Sequence, residues 1–218
     1  MAAPDSILNE AACPESWQRF YEHKQKNRHL SAAEDKALLD FMQRQAYLPM
    51  CALWEQGRSP AALPVKLTIN KSGTTKKRIV YSFAGDEGLF LKFIAWQLFR
   101  FDDFFCGNCY AFRRSFGAKD AIERICRNHR IGKKYCLKAD ISNYFNSIHV
   151  EKLLEKLSFV KERDPLVYEL FARILREDRV LENGHIIREK HGAMAGTPLA
   201  PFFANVYLSD TDRYFLEN

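Results

Sequence analysis

Six cysteines, Cys13, Cys51, Cys106, Cys109, Cys126 and Cys136, are too few in 218 residues to make a disulfide framework. Their apolar or aromatic neighbours point instead to reduced, mostly buried thiols. No apolar run approaches the roughly 20 residues that cross a bilayer. The opening Met1-Ala-Ala-Pro-Asp-Ser6 lacks the basic start and apolar stretch of a secretory leader. A membrane partner is therefore not expected, and the expectation is a cytoplasmic protein. The absence of internal repeats and low-complexity tracts argues against a solenoid or a disordered chain.

What is present suits a folded protein with one sizeable core or two small ones: 47% of residues are hydrophobic and 28% charged. Lys and Arg outnumber Asp and Glu by 33 to 27, a net charge of +6, which favours a polyanionic partner such as nucleic acid. Cys106-x-x-Cys109 followed by Cys126-x-x-His129 has a spacing a structural zinc site could use. The competing reading is a helix whose buried stripe carries Ala121, Ile122, Ile125, Cys126 and His129 at helical spacing, and it is the better supported.

Residues 14–57 read as two helices, the second opened by Ser31-Ala-Ala-Glu34, in which the serine and glutamate satisfy each other's orphan amides. Pro60 and Pro64 end this segment. Val65–Ile69 and Lys77–Ser82 then read as strands of a hairpin with a basic tip. Helices are predicted over 87–101, 118–128, 150–159 and 165–176, and from Ala200 toward Asp212. Tyr135–Ala139 reads as a short apolar strand delivering Asp140 at its end. Asn183-Gly184 between 179–182 and 185–188 is a strong hairpin signal.

Four stretches carry chemistry. Tyr135-Cys-Leu-Lys-Ala-Asp140-Ile-Ser-Asn-Tyr-Phe145-Asn-Ser-Ile148 puts a carboxylate on a strand end, where a hard cation such as Mg²⁺ finds oxygen ligands and room for phosphates. His191-Gly-Ala-Met-Ala-Gly196-Thr-Pro198-Leu-Ala-Pro201, followed by Phe-Phe-Ala-Asn205-Val-Tyr-Leu208, leads a glycine- and proline-shaped approach into a helix. Lys71-Ser-Gly-Thr-Thr-Lys76-Lys77-Arg78 is either a solvated charge run or a phosphate clamp. Asn108-Cys-Tyr110-Ala-Phe112-Arg113-Arg114-Ser-Phe-Gly117-Ala-Lys-Asp120 offers guanidinium groups that either meet a nucleic-acid strand or pair with acidic neighbours.

Together and in this order these stretches resemble the reverse transcriptase family, whose members include group II intron, retron, diversity-generating and antiphage-defence enzymes. The first is similar to motif A, Asp-Ile-x-x-(aromatic)-Phe. The second is similar to motif B, Gln-Gly-x-Pro-x-Ser-Pro, with Ala195 in place of Gln and Ala200 in place of Ser. The resemblance, over about Val65–Asp212, implies an α+β right-hand polymerase: a helical N-terminal segment (1–60), fingers (61–134) and a partial palm (135–218).

It further implies that Asp140 and the Ile141 carbonyl hold two Mg²⁺ ions and that Phe145 blocks a ribose 2′-hydroxyl in favour of dNTPs. Lys71 and Arg78 would hold the triphosphate, with Ala195 and Gly196 facing the nucleotide. Arg113, Arg114 and Pro198 would meet an RNA template paired with a DNA or RNA primer. The Ala195 departure motivates the expectation of error-prone synthesis of the diversity-generating kind. Two-metal transfer needs a second carboxylate holding ions about 4 Å apart, which the family supplies as Tyr-x-Asp-Asp after the motif B helix. No such pair follows motif B here; Asp102-Asp103 precedes motif A and lacks the aromatic. The expectation is RNA-templated DNA synthesis by two-metal nucleotidyl transfer in the intact protein, with this fragment alone not polymerising. The alternatives are a non-catalytic nucleic-acid-binding relative, or a structural fragment that dimerises through apolar surface.

Overall fold

The computed structural model describes residues 6–27, 30–58, 62–70, 73, 75–127, 131–133 and 135–217. The chain opens with four helices: α1 Ile7–Ala12, α2 Pro14–Lys26, α3 Ala32–Gln43 and α4 Tyr47–Glu55. Sequence reading expected two. The expected capping box is present: the Ser31 hydroxyl accepts from the Glu34 amide, and Glu34 accepts from the Ser31 amide at 3.0 Å. The break between α3 and α4 falls where Gln45 adopts φ 50°, a left-handed turn with no glycine or proline to mark it.

β1 (Val65–Asn70) and β2 (Lys77–Ser82) form the expected hairpin, with Leu67 opposite Val80 and Ile69 opposite Arg78. β3 (Arg179–Glu182) and β4 (His185–Arg188) form the second hairpin. Its Asn183 and Gly184 sit at φ 52° and 82°, the pair of positive values a two-residue type I′ turn requires. β1 and β3 pair in parallel, Val65 beside Leu181, giving one four-stranded sheet in the order β2-β1-β3-β4. The protein is thus α+β, with both hairpins in a single mixed sheet.

The remaining helices are α5 Gly85–Gln97, which tightens into a 3-10 turn over Leu98–Phe104, then α6 Ala118–Cys126, α7 Tyr144–Ser147, α8 Val150–Lys156, α9 Ser158–Arg163, α10 Pro165–Arg176 and α11 Ala200–Glu217. The helix expected over 150–159 breaks at Leu157, whose buried side chain turns the chain into α9. Aromatic rings fill the core. Trp17 is fully buried, stacks on Phe93 at 4.1 Å and donates its indole N–H to the Ala11 carbonyl. A second cluster joins Phe101, Phe159, Phe171, Phe202 and Phe203, where α9, α10 and α11 meet the 3-10 turn. Asp164 ties two helix N-termini together: it accepts from the Ser6 hydroxyl, from the Ile7 amide at 2.7 Å and from the Val167 amide at 3.3 Å.

Three expectations are corrected. The strand predicted over Tyr135–Ala139 is not formed: residues 135–141 run irregularly, with Tyr135 105% and Leu137 93% exposed. Among the described residues no strand lies beside this segment, and an unpaired strand has no ladder to hold it. Ile122 and Ile125 of α6 are exposed rather than part of a buried stripe, because α6 packs no side chain into the core. The thiols are not mostly buried either: Cys51 and Cys109 are, whereas Cys126 and Cys136 are exposed, lying on α6 and on the unpaired segment.

Candidate functional site

The loop over 191–199 is built around two glycines. Gly192 has φ +55°, and a Cβ placed on it would lie 2.5 Å from the Phe145 carbonyl oxygen and 2.8 Å from the Asn146 carbonyl carbon. Only glycine permits that backbone approach. The approach lets the Ala193 amide donate to the Phe145 carbonyl at 2.8 Å and the Ala195 amide donate to the Asn146 side-chain oxygen at 3.0 Å. From α7 the Tyr144 hydroxyl donates to the Ala204 carbonyl on α11 at 2.7 Å, and burial pushes that phenol up from its ordinary value.

The same loop is pinned to the first hairpin. The Tyr81 amide donates to the Ala195 carbonyl at 2.7 Å, and the Asn146 side-chain amide donates to the Ile79 carbonyl at 3.3 Å. Gly196, at φ +99°, brings its Cα against β2, where a Cβ would lie 2.9 Å from the Tyr81 carbonyl oxygen. Residues 143–147, 192–196 and β2 thus meet at one junction, with the Asn146 side chain bonded to both of the others.

A polar cluster backs the junction. Glu189 accepts from the Tyr81 hydroxyl and from Lys66, each at 2.7 Å, and Lys66 also reaches Glu182 at 3.4 Å. Burial works to raise the Glu189 carboxyl, but the bonds from Lys66 and Tyr81 outweigh it and leave it below its ordinary value. Burial, then Glu189 itself, pushes the Tyr81 phenol up. The buried His191 ring bonds the Glu177 carbonyl and meets Tyr81 edge to face.

Of the residues singled out from sequence, Phe145, Ala195 and Gly196 belong to this junction. Phe145 lies 6.4 Å ring to ring from Phe112. Ala195 is only 4% exposed, so a longer side chain there has to displace its neighbours. Arg78 is exposed on β2, two residues from Val80, with no ion pair among the described residues. Lys71, like His129 of the zinc spacing, lies outside the described residues. Arg114 is exposed, and Pro198 lines a cavity with Arg113 and Gly196.

Arg113 adopts the acidic pairing that sequence reading set against a template role. Its guanidinium takes the Asp102 carboxylate at 3.1 Å and donates to the Cys106 carbonyl at 2.9 Å and the Asp102 carbonyl at 3.0 Å. It also stacks over Phe116 at 4.4 Å. With a side chain only 7% exposed, it holds the 102–113 loop together. Asp103 pairs with Arg163 at 2.8 Å. Both carboxylates of Asp102-Asp103 are thus engaged in ion pairs.

Asp140 and Ile141 lie exposed on the irregular segment, and among the described residues no hydrogen bond ties them to the junction. One carboxylate and one neighbouring carbonyl are hard oxygen donors of the type Mg²⁺ takes, but they are too few for a two-ion centre. Among the described residues no three His, Cys, Asp or Glu side chains gather to complete one. The donor set among the described residues does not by itself fit a pair of Mg²⁺ ions.

Sequence reasoning missed three contributors: Asn146, whose role depends on a left-handed Asn143 at φ 50°, and Lys24 and Trp96, which reach the cavity beside Pro198 from α2 and α5. Nothing in their local pattern separates them from ordinary surface and core residues. No protein-family model and no curated protein matches the chain.

Proposed function

We propose that this chain is the nucleotide- and template-holding part of a reverse transcriptase, with fingers formed by β1 and β2 and a partial palm built on residues 140–148 and 191–208. The observation that carries the reading is the junction. The two stretches resembling motifs A and B are more than 40 residues apart in sequence, yet they bond directly at Ala193–Phe145 and Ala195–Asn146, and both bond β2. In that arrangement the strand carrying Arg78, the Phe145 backbone and Gly196 meet at one junction, which supports reading a triphosphate, a ribose and a base together.

In this reading Arg78, with Lys71, draws the triphosphate, Phe145 limits the ribose, and Ala195 and Gly196 shape the nucleotide floor. Arg114 and Pro198 border the RNA template and its primer. Polymerisation itself requires a metal-binding carboxylate beyond Asp140.

The test is fluorescence anisotropy with an RNA template annealed to a DNA primer that ends in a dideoxynucleotide. Binding is expected to weaken steeply with salt. The next complementary dNTP is expected to tighten it severalfold, an increment that Arg78→Gln removes. Salt-sensitive RNA binding with no response to any dNTP would overturn the polymerase reading. It would support the second reading, a non-catalytic nucleic-acid-binding module, which the isolated position of Asp140 favours.

A further inference from the structure

A cavity of about 470 Å³ opens between α2, α5 and the segment carrying Gly196, Pro198 and Asn205. Its volume is that of a small-ligand site. Its walls combine two chemistries. Trp96, Phe99 and Phe112 supply aromatic surface, and Phe112 is 59% exposed at φ 54°, a strained backbone for a bulky residue. Lys24 and Lys92 supply positive charge on the same lining.

The two lysines act on one another. Burial and then the nearby Lys92 charge hold the Lys24 ammonium below its ordinary value, and Glu34, which pairs with Lys92 at 3.5 Å, offsets this only in part. The one carboxylate in the lining, Asp102, is already paired with Arg113. An anion beside Lys24 and Lys92 relieves their repulsion, and an aromatic ring beside Trp96 covers apolar surface that water now meets. A flat ring joined to a phosphate satisfies both demands.

We infer that this cavity takes one unpaired nucleotide of a single-stranded RNA, its base against Trp96 and its phosphate on Lys24 and Lys92. The N-terminal helices, which lie outside the stretch resembling reverse transcriptases, thereby become part of the nucleic-acid surface. The inference rests on the template reading above only for which strand enters; the pocket's chemistry stands without it.

The experiment titrates the full chain with a short single-stranded RNA while following intrinsic tryptophan emission and anisotropy at several salt concentrations. Trp17 and Trp54 are buried and Trp96 is half-buried, so quenching on binding reports Trp96. The quench is expected to vanish in Trp96→Phe. The double variant Lys24→Gln, Lys92→Gln, on side chains outside the core, is expected to lower the slope of log K against log salt by about 0.7, one phosphate contact on a single strand. An oligonucleotide with abasic sites is expected to bind roughly tenfold more weakly. If the wild type binds RNA but emission is unchanged, or the lysine variant keeps the full salt slope, the pocket is overturned while the template reading stands. If the wild type binds no RNA, both fall.

Discussion

Gly192→Ala tests the junction at its tightest point. Its φ of +55° costs a non-glycine residue about 1 kcal/mol or more. The added Cβ meets backbone atoms at 2.5 Å and 2.8 Å, and backbone cannot swing aside as a side-chain tip can. The loop must retreat, and the Ala193–Phe145 and Ala195–Asn146 hydrogen bonds are lost or stretched, each worth about 1 kcal/mol with the buried groups left unsatisfied. The sum is roughly 3–5 kcal/mol. Gly184→Ala is the control: its φ is +82°, but a Cβ there meets nothing within 4 Å, so only the conformational cost of about 1–2 kcal/mol applies. Urea denaturation of both variants, with unchanged slope, measures the difference. A gap of about 2 kcal/mol or more is expected, or some 4–8 °C in Tm. Equal losses would show that residues 192 and 145 do not approach as described, and the junction would lose its support.

Arg113→Ala is expected to cost about 3–5 kcal/mol, because it strands the Asp102 carboxylate and leaves carbonyls of the 102–113 loop without a donor; unchanged thermal stability with weakened RNA binding would restore the template role. Asp164→Ala, which uncaps α1 and α10 together, is expected to cost about 2–3 kcal/mol in a denaturant titration. Glu189→Gln addresses pH. The Glu189 carboxyl is held below its ordinary 4.5, so its contribution is present above pH 4.5 and is lost as pH falls through the folded value. The variant should therefore be less stable than the wild type at pH 7, with the gap closing below pH 4.5; a gap that stayed constant across that range would refute the linkage.

Both hairpins were legible in the sequence because their signals are local: period-two runs around a basic turn, and Asn-Gly between two short strands. The Ser31–Glu34 cap was legible for the same reason, since it needs only four residues. The breaks at Gln45 and Leu157 were not, because tertiary packing imposes them on sequences that carry no glycine or proline there. The α6 stripe was misread in the opposite direction. Periodicity shows that a helix has an apolar face, not that a neighbour covers it, and Ile122 and Ile125 face no such neighbour among the described residues. Tyr135–Ala139 failed on the same ground, since a strand exists only with a partner.

The division between the junction and the segment carrying Asp140 has a physical logic. The contacts that join residues 143–147 to 192–196 use backbone groups, two glycines and one asparagine, all among the described residues, so this half of the site is held by the chain's own bonds. Asp140 and Ile141 sit only a few residues upstream but lack any ladder, and their geometry depends on what lies beside 135–141. If a strand were to pair with that segment, it would carry Tyr135, Leu137 and Ala139 into register and set Asp140 at its end, beside a loop already held by Asn146. On the proposed reading, the part that would meet base and ribose is held by this chain's own bonds, whereas none of those bonds fixes Asp140.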